Sequence, residues 1–359
     1  MKTPLSYAQA ACDTMMRKFD APDLPPMGHF HYHQGVFLSG MYQTWRLCKE
    51  EKYLQYVKSW VDSVFDEKGK IRECSFADLD DIQPGILLFP LLDVTGDPYY
   101  LKCLDSVYDE VKHIPRNRMG GYWHKCHLND QMWLDGLYMA GPFAAEYASR
   151  FQLPFLTDDV VKQALLMEAL TRDGATGLLR HAWDGTCSAP WADKETGKSS
   201  EFWGRSMGWV PVALLNDLDF IPKEHPGYKQ LAHMAAELLQ NLCRYQTADG
   251  RWYQVVDKGG MSENWLENSC SCLYVAGLCK AVRKGILPVS FLDQARRGYE
   301  GVIRSLQRDG ENLLIGSVCV GTGVGDYAFY CARPSSVNDL HGVGAFLIMC
   351  TEMQMVFEG

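Results

Sequence analysis

The stretch N-D-Q-M-W-L-D-G-L-Y-M-A-G-P-F, residues 129–143, sets one carboxylate, Asp135, inside an apolar and aromatic run of helical period. Asn129 or Asp130 is suited to cap such a helix, which would place Asp135 about two turns in, with Tyr138 and Met139 on its face at i+3 and i+4. Burial among those neighbours disfavours the ionised form, so the pattern predicts a raised carboxyl pKa of the kind a general acid needs near neutrality. An aspartate paired to a structural arginine or to backbone donors would satisfy the same pattern, because structural pairs also perturb pKa values.

The helical period recurs along the chain. Helices are expected over 6–18, 35–49, 51–65, 85–94, 99–112, 131–147, 157–171, 208–218, 228–245, 269–284, 288–306 and 342–357, while strand signals are few. A glycine-containing turn also recurs, at 67–70, 118–121, 172–175, 248–251 and 308–311, each after a helical stretch and before a short polar and aromatic piece. Successive helical hairpins with loops bearing Trp, His and Asp are the pattern of an all-α (α/α)6 barrel, in which inner helices ring a core and their loops build a cleft. Periodicity supports the hairpin array, and closure into a ring goes one inference beyond it. No Pro/Gly/Ser linker or charge block divides the sequence, so residues 1–359 read as a single domain.

With 359 residues, 47% hydrophobic and 22% charged, the composition excludes disorder and fibre. A formal net charge of -9 argues against nucleic acid and anionic membrane as partners, so an anionic substrate would need a local basic pocket. The N-terminal stretch has no uninterrupted apolar segment and the longest apolar runs, such as 86–89, are too short to cross a bilayer; a cytoplasmic protein is expected. The 13 cysteines are odd in number and spread through helical patterns, as reduced core residues would be. His124, Cys126 and His127, or Cys270 with Cys272, form no C-x-x-C pair, and ligands two residues apart diverge on a helix, so neither metal nor organic cofactor is expected.

Four further segments combine polar and aromatic residues. In L-D-D-I-Q-P-G, residues 79–85, Pro84 suits a first helical turn and Asp80 then stands at the helix start, facing a cleft or serving as a cap. Lys125 closes Y-W-H-K after a Gly-Gly turn, in a cleft wall or a solvated loop, and His181 opens H-A-W-D-G, either in the cleft or satisfied in the core. In F-W-G-R-S-M-G-W, residues 202–209, Arg205 and Trp209 are one helical turn apart, and Gly204 with Gly208 leaves a strip for close approach. A guanidinium beside indoles suits a sugar carboxylate, with bidentate hydrogen bonds to the acid and rings against the pyranose, although an arginine buried for packing fits as well.

The ordered set H-Y-H-Q-G-V-F, L-D-D-I-Q-P-G, Q-M-W-L-D-G-L-Y-M-A-G-P-F, F-W-G-R-S-M-G-W, V-G-T-G-V-G-D-Y and V-N-D-L-H-G-V-G-A-F resembles the unsaturated rhamnogalacturonyl hydrolases of glycoside hydrolase family 105 from about residue 32 to about 346. The resemblance implies an (α/α)6 barrel with Asp135 as general acid/base. The positions matching the family's substrate cleft are Tyr32, Asp80, Lys125, Met139, His181, Trp203, Arg205 and Trp209. Gly204, Ser206 and Met207 depart from the family's usual W-A-R-G-N-G-W, and residues 267–271 read E-N-S-C-S, which bears on the shape of the aglycone side.

The implied substrate is a small anionic disaccharide left by a pectin lyase, an unsaturated uronic acid linked to rhamnose, turned over by a monomer or homodimer. In the reaction so implied, Asp135 protonates C4 of the enol ether and then activates water, Asp80 and His181 position water and ring hydroxyls, and Arg205 with Lys125 holds the uronate. An unsaturated glucuronyl hydrolase, an inverting glycosidase using Asp80 and Asp135, and a carbohydrate-binding toroid are the alternatives.

Overall fold

A computed structural model describes residues 3–75 and 77–357. Among them are thirteen α-helices: α1 (Pro4–Lys18), α2 (Tyr32–Cys48), α3 (Glu51–Val64), α4 (Leu88–Thr95), α5 (Tyr99–His113), α6 (Asp135–Arg150), α7 (Pro154–Thr171), α8 (Gly204–Asp217), α9 (Pro226–Cys243), α10 (Asn268–Arg283), α11 (Leu292–Ser305), α12 (Tyr327–Cys331) and α13 (Leu340–Phe357). The expected helices are all present with shifted ends, and the short α12 is additional.

The ring closes. Helix α2 packs on the 3-10 turn Gln83–Leu87 that leads into α4, that turn packs on α6, α6 on α8, α8 on α10, α10 on α13, and α13 back on α2. Helices α1, α3, α5, α7, α9 and α11 alternate with these in the chain and lie outside them, each against an inner neighbour. This is the all-α (α/α)6 barrel of six hairpins. Amphipathy drives the arrangement: α3 buries Tyr53, Leu54, Val57, Trp60 and Val61 on one face, at the spacing of a helix whose other face meets water. The inner helices are buried nearly all round, and Gly204 and Gly208 supply the expected strip, on which Cys270 and Leu273 of α10 sit.

The five recurrent turns follow α3, α5, α7, α9 and α11, so each carries the chain from an outer helix to the next inner one. Those connections end at the N-termini of the inner helices. They also hold four two-stranded antiparallel ribbons: β1 (Gln131–Trp133) with β2 (Ala182–Asp184), β3 (Trp252–Tyr253) with β4 (Leu266–Glu267), β5 (Gln307–Asp309) with β6 (Asn312–Leu314), and β7 (Val318–Cys319) with β8 (Ser335–Ser336).

Two expectations are corrected. Residues 131–133 form β1 instead of a first helical turn, so Asp135 is the first residue of α6 and Asn129 and Asp130 do not cap it. Helix α13 is long and apolar enough to cross a membrane by length and composition, but most of it is buried as the helix that closes the ring.

Ring closure depends on glycine where α13 meets α2: a Cβ at Gly344 would lie 2.5 Å from the Val36 backbone carbon. Gly344→Ala is therefore expected to destabilise the fold by about 1–3 kcal/mol, whereas Gly174→Ala, with nothing within 4 Å, should stay within about 0.5 kcal/mol in denaturant melts.

Candidate active site

Asp135 and His181 are brought together by the β1/β2 ribbon. Trp133 pairs with Ala182 in register, and the Leu134 amide donates to the His181 carbonyl at 2.9 Å, so the residues flanking the ribbon's end face each other. His181 Nε2 lies 3.0 Å from Asp135 Oδ2, and His181 Nδ1 lies 2.6 Å from the Tyr330 hydroxyl. The Gly325 amide donates to that same hydroxyl at 3.2 Å. Asp135, as a carboxylate, can only accept, so His181 Nε2 donates to it, and the Tyr330 hydroxyl, which accepts from Gly325, has its own proton free for His181 Nδ1.

Asp135 does not have the raised pKa that its apolar neighbours suggest. Burial pushes the carboxyl up, but the hydrogen bond from His181, with His124 and Arg205 behind it, outweighs burial and holds it below the usual carboxylate range. In the free protein it is a carboxylate.

Asp80 stands in the 3-10 turn Leu79–Asp81 and caps no helix. Its Oδ2 takes the Lys125 ammonium at 2.7 Å, and its Oδ1 is 3.5 Å from His124 Nε2. Burial acts upward on Asp80, yet His124, Lys125 and His31 together hold it down to about 2. His124 is itself fixed by stacking on Trp133 at 4.4 Å, and Trp133 meets the His181 ring edge-on at 5.6 Å. The two acids are thus linked through one aromatic wall.

Trp203 stands beside His181 at 4.6 Å, stacks on Tyr330 at 5.6 Å, and carries the Arg205 guanidinium 4.6 Å over its ring. Tyr32 begins α2, with its hydroxyl 2.9 Å from His33 Nε2. Met139 lies one turn below Asp135 and is buried.

Two expected contacts take a different form. Arg205 is 2% exposed and already donates to the Cys319 carbonyl at 2.5 Å and to the Val320 carbonyl at 2.9 Å, with His341 Nε2 at 2.9 Å. A guanidinium committed to backbone carbonyls is not an open fork for a ligand carboxylate. Trp209 is 1% exposed and stacks on Tyr138 at 4.5 Å, which joins α8 to α6 and leaves no ring face for a sugar.

Sequence reasoning did not find Tyr330, Trp133, His341 or Asp339 as site residues. The motif V-N-D-L-H-G-V-G-A-F holds the last two, and His341 Nδ1 lies 2.7 Å from Asp339 Oδ1. His33, Asp339 and His341 come within metal-ligand spacing, as do Asp78, Cys126 and His127. In the first group His341 Nδ1 pairs with Asp339, while its Nε2 lies 2.9 Å from the Arg205 guanidinium and 3.0 Å from the Cys319 carbonyl. Of the clusters weighed in the sequence, His124 is occupied by Asp80, and Cys270 and Cys272 are buried with thiol pKa values pushed well up.

The inner helices α2, α6, α8 and α13 all present their N-termini to this cluster, through Tyr32, Asp135, Arg205 and His341. Helix N-termini favour anions, so the positive end of the barrel is built into an acidic chain.

Residues 7–357 match Glycosyl Hydrolase Family 88. A family 105 glycoside hydrolase from C. acetobutylicum ATCC 824 superposes with a TM-score of 0.92 at 31% identity, over 97% of this chain and 99% of that one. An unsaturated rhamnogalacturonyl hydrolase from Bacillus subtilis (strain 168) is 25% identical over 81% of this chain and 79% of its own. An unsaturated glucuronyl hydrolase from Bacillus sp. GL1, 14% identical, shares the fold with a TM-score of 0.74 over 97% of this chain and 95% of its own. The chain therefore belongs to Glycosyl Hydrolase Family 88 and is a glycoside hydrolase of the unsaturated uronyl type found in families 88 and 105.

Two measurements check the site's electrostatics. Tyr330→Phe removes the hydrogen bond at His181 Nδ1 and leaves the Asp135 carboxylate on Nε2, so nitrogen NMR should show the Nε2-protonated tautomer in both proteins, with the Nδ1 resonance moved in the variant. Because Asp80 has a folded pKa below its unfolded value, its stabilising contribution is present above about pH 4 and is lost as pH falls through about 2. The melting-temperature difference between wild type and Asp80→Asn is expected to shrink over that interval.

Proposed function

We propose that the enzyme hydrates the C4=C5 double bond of an unsaturated uronic acid linked to rhamnose, the product of a pectin (rhamnogalacturonan) lyase. The observation that carries this reading is the buried Asp135–His181 pair, 3.0 Å apart, at the N-terminus of an inner helix. The named activity of the B. subtilis relative supports the rhamnose-linked substrate over the glucuronyl alternative.

The double bond is an enol ether conjugated to the C6 carboxylate. Protonation at C4 turns it into an oxocarbenium-like centre at C5 with the glycosidic bond still intact. Water then adds at C5 and loses a proton; the resulting hemiketal opens to a C5 ketone, and the hemiacetal left at C1 releases the sugar. One carboxyl group serves both steps: Asp135 gives its proton to C4, and the carboxylate so formed takes a proton from the attacking water.

Asp135 is ionised in the free protein and must gain a proton to act. An incoming uronate supplies the cause: it brings a like charge and displaces water, and both favour the neutral acid. His181 then holds the carboxyl group in place and, with Asp80, orients the water and the ring hydroxyls. Lys125 keeps Asp80 ionised. Tyr32 borders the site with Met139 and Trp203 buried behind it, and Arg205 acts on the uronate through the backbone that it holds. No step calls on a metal or organic cofactor. The 13 free cysteines support a reducing, cytoplasmic setting.

The test is a panel of lyase-generated disaccharides followed by loss of the conjugated double bond's ultraviolet absorbance. Rhamnose-linked substrates are expected to be consumed fastest, and a preference for glycosaminoglycan fragments would move the assignment to the glucuronyl activity. Asp135→Asn should lower kcat by more than the ~10²–10⁴-fold usual for a general acid alone, because the same group serves both steps. Near-normal turnover would remove Asp135 from the chemistry.

A further inference from the structure

Between β7 and β8 the chain leaves the barrel wall and returns, and the first part of that excursion, V-G-T-G-V-G at residues 320–325, has no task in the chemistry above. It lies beside residues of the candidate site. A Cβ built on Gly321 would sit 3.9 Å from the Tyr32 hydroxyl and 3.7 Å from His33 Nε2, and one on Gly323 would sit 3.8 Å from the Trp133 ring. Gly325 reaches the catalytic chain itself, through its amide on the Tyr330 hydroxyl.

Two arginines hold this segment by its carbonyls. Arg205 takes those of Cys319 and Val320, while Arg333 takes that of Gly321 and donates to the Thr322 hydroxyl at 2.6 Å. The amides are left over: among the described residues, those of Gly321, Thr322, Gly323 and Val324 donate to no protein group, although each is partly buried. Amides in residues of intermediate exposure that meet no protein acceptor are open to water or to a ligand.

The glycines point the same way. Gly325 is required by the fold, since a Cβ there would lie 2.3 Å from Phe329. Gly321 and Gly323 are not so required: neither has a left-handed φ, and a Cβ at either would make only ordinary contacts. Their missing side chains leave room beside Tyr32 and Trp133, on the side of the loop that faces these two rings.

We propose that the amides of residues 321–324 bind the C6 carboxylate of the unsaturated uronic acid, with Arg205 and Arg333 supplying positive charge from behind the loop. This rests on the proposed function and deepens it. It also accounts for a buried arginine that has no open fork. Carboxylate recognition is thereby separated from proton transfer, one on the loop and the other on α6.

The experiment uses Asp135→Asn, so that substrate binds without turning over. Calorimetry compares an unsaturated uronyl disaccharide with the same molecule reduced to the alcohol at C6. Adding Gly323→Ala is expected to weaken the acid by about tenfold or more and the alcohol by less than about threefold, because charge-assisted hydrogen bonds are what the variant disturbs. Arg333→Gln, which loosens the loop without entering the cleft, should give the same acid-selective loss. Equal losses for acid and alcohol in both variants, or no loss in either, would overturn the loop's role. The two readings fail separately: a wild-type enzyme that consumes no unsaturated uronide defeats the proposed function, whereas normal turnover with unselective binding losses defeats only the loop.

Discussion

Asp135 is a carboxylate at the first turn of an inner helix, 9% exposed, and such a group persists in the ionised form only if something nearby compensates the lost water. His181 supplies most of that compensation, and much of the surrounding structure serves to keep His181 in one tautomer and one place. The β1/β2 ribbon sets its backbone, Tyr330 fixes its far nitrogen, and Trp203 and Trp133 bracket its ring. Removing Tyr330 would leave a buried nitrogen without its partner, and removing either indole would leave a void beside the ring, so the packing and the chemistry are one constraint.

The barrel explains how an acidic protein handles an acidic substrate. Its net charge is -9, yet the end of the ring that carries the site collects helix N-termini together with Lys125, Arg205 and Arg333. None of these cations is left bare. Lys125 is neutralised by Asp80, and the two arginines are spent on loop carbonyls. Backbone dipoles that the arginines hold in position therefore add to the positive charge of the guanidiniums themselves, an environment that suits the carboxylate site proposed above without exposing a mobile charge.

Much of this was legible in the sequence. The hairpins were, because their helices carry a strong 3.6-residue period and the five glycine turns mark where each outer helix ends. Residues 131–133 were misread, since a three-residue strand is too short to show alternation and its apolar residues fit a helical turn equally well. That error displaced Asp135 into a helix interior and gave the wrong sign to its pKa. The partners that set the true sign are remote: His181 is 46 positions from Asp135, and Tyr330 is 149 from His181. For Arg205 the residue type was informative and its direction was not, because a guanidinium beside indoles suits a ligand carboxylate and a backbone carbonyl alike.

The account turns on hydration of the double bond by Asp135, and isotope incorporation tests it most directly. In deuterated water, product from a promptly quenched reaction should carry deuterium at C4 of the keto acid, because C4 receives the proton that Asp135 delivers. Quenching has to precede exchange next to the new ketone. Early product examined by NMR and found without deuterium at C4 would contradict the account, and would point instead to attack at C1 with the double bond left intact.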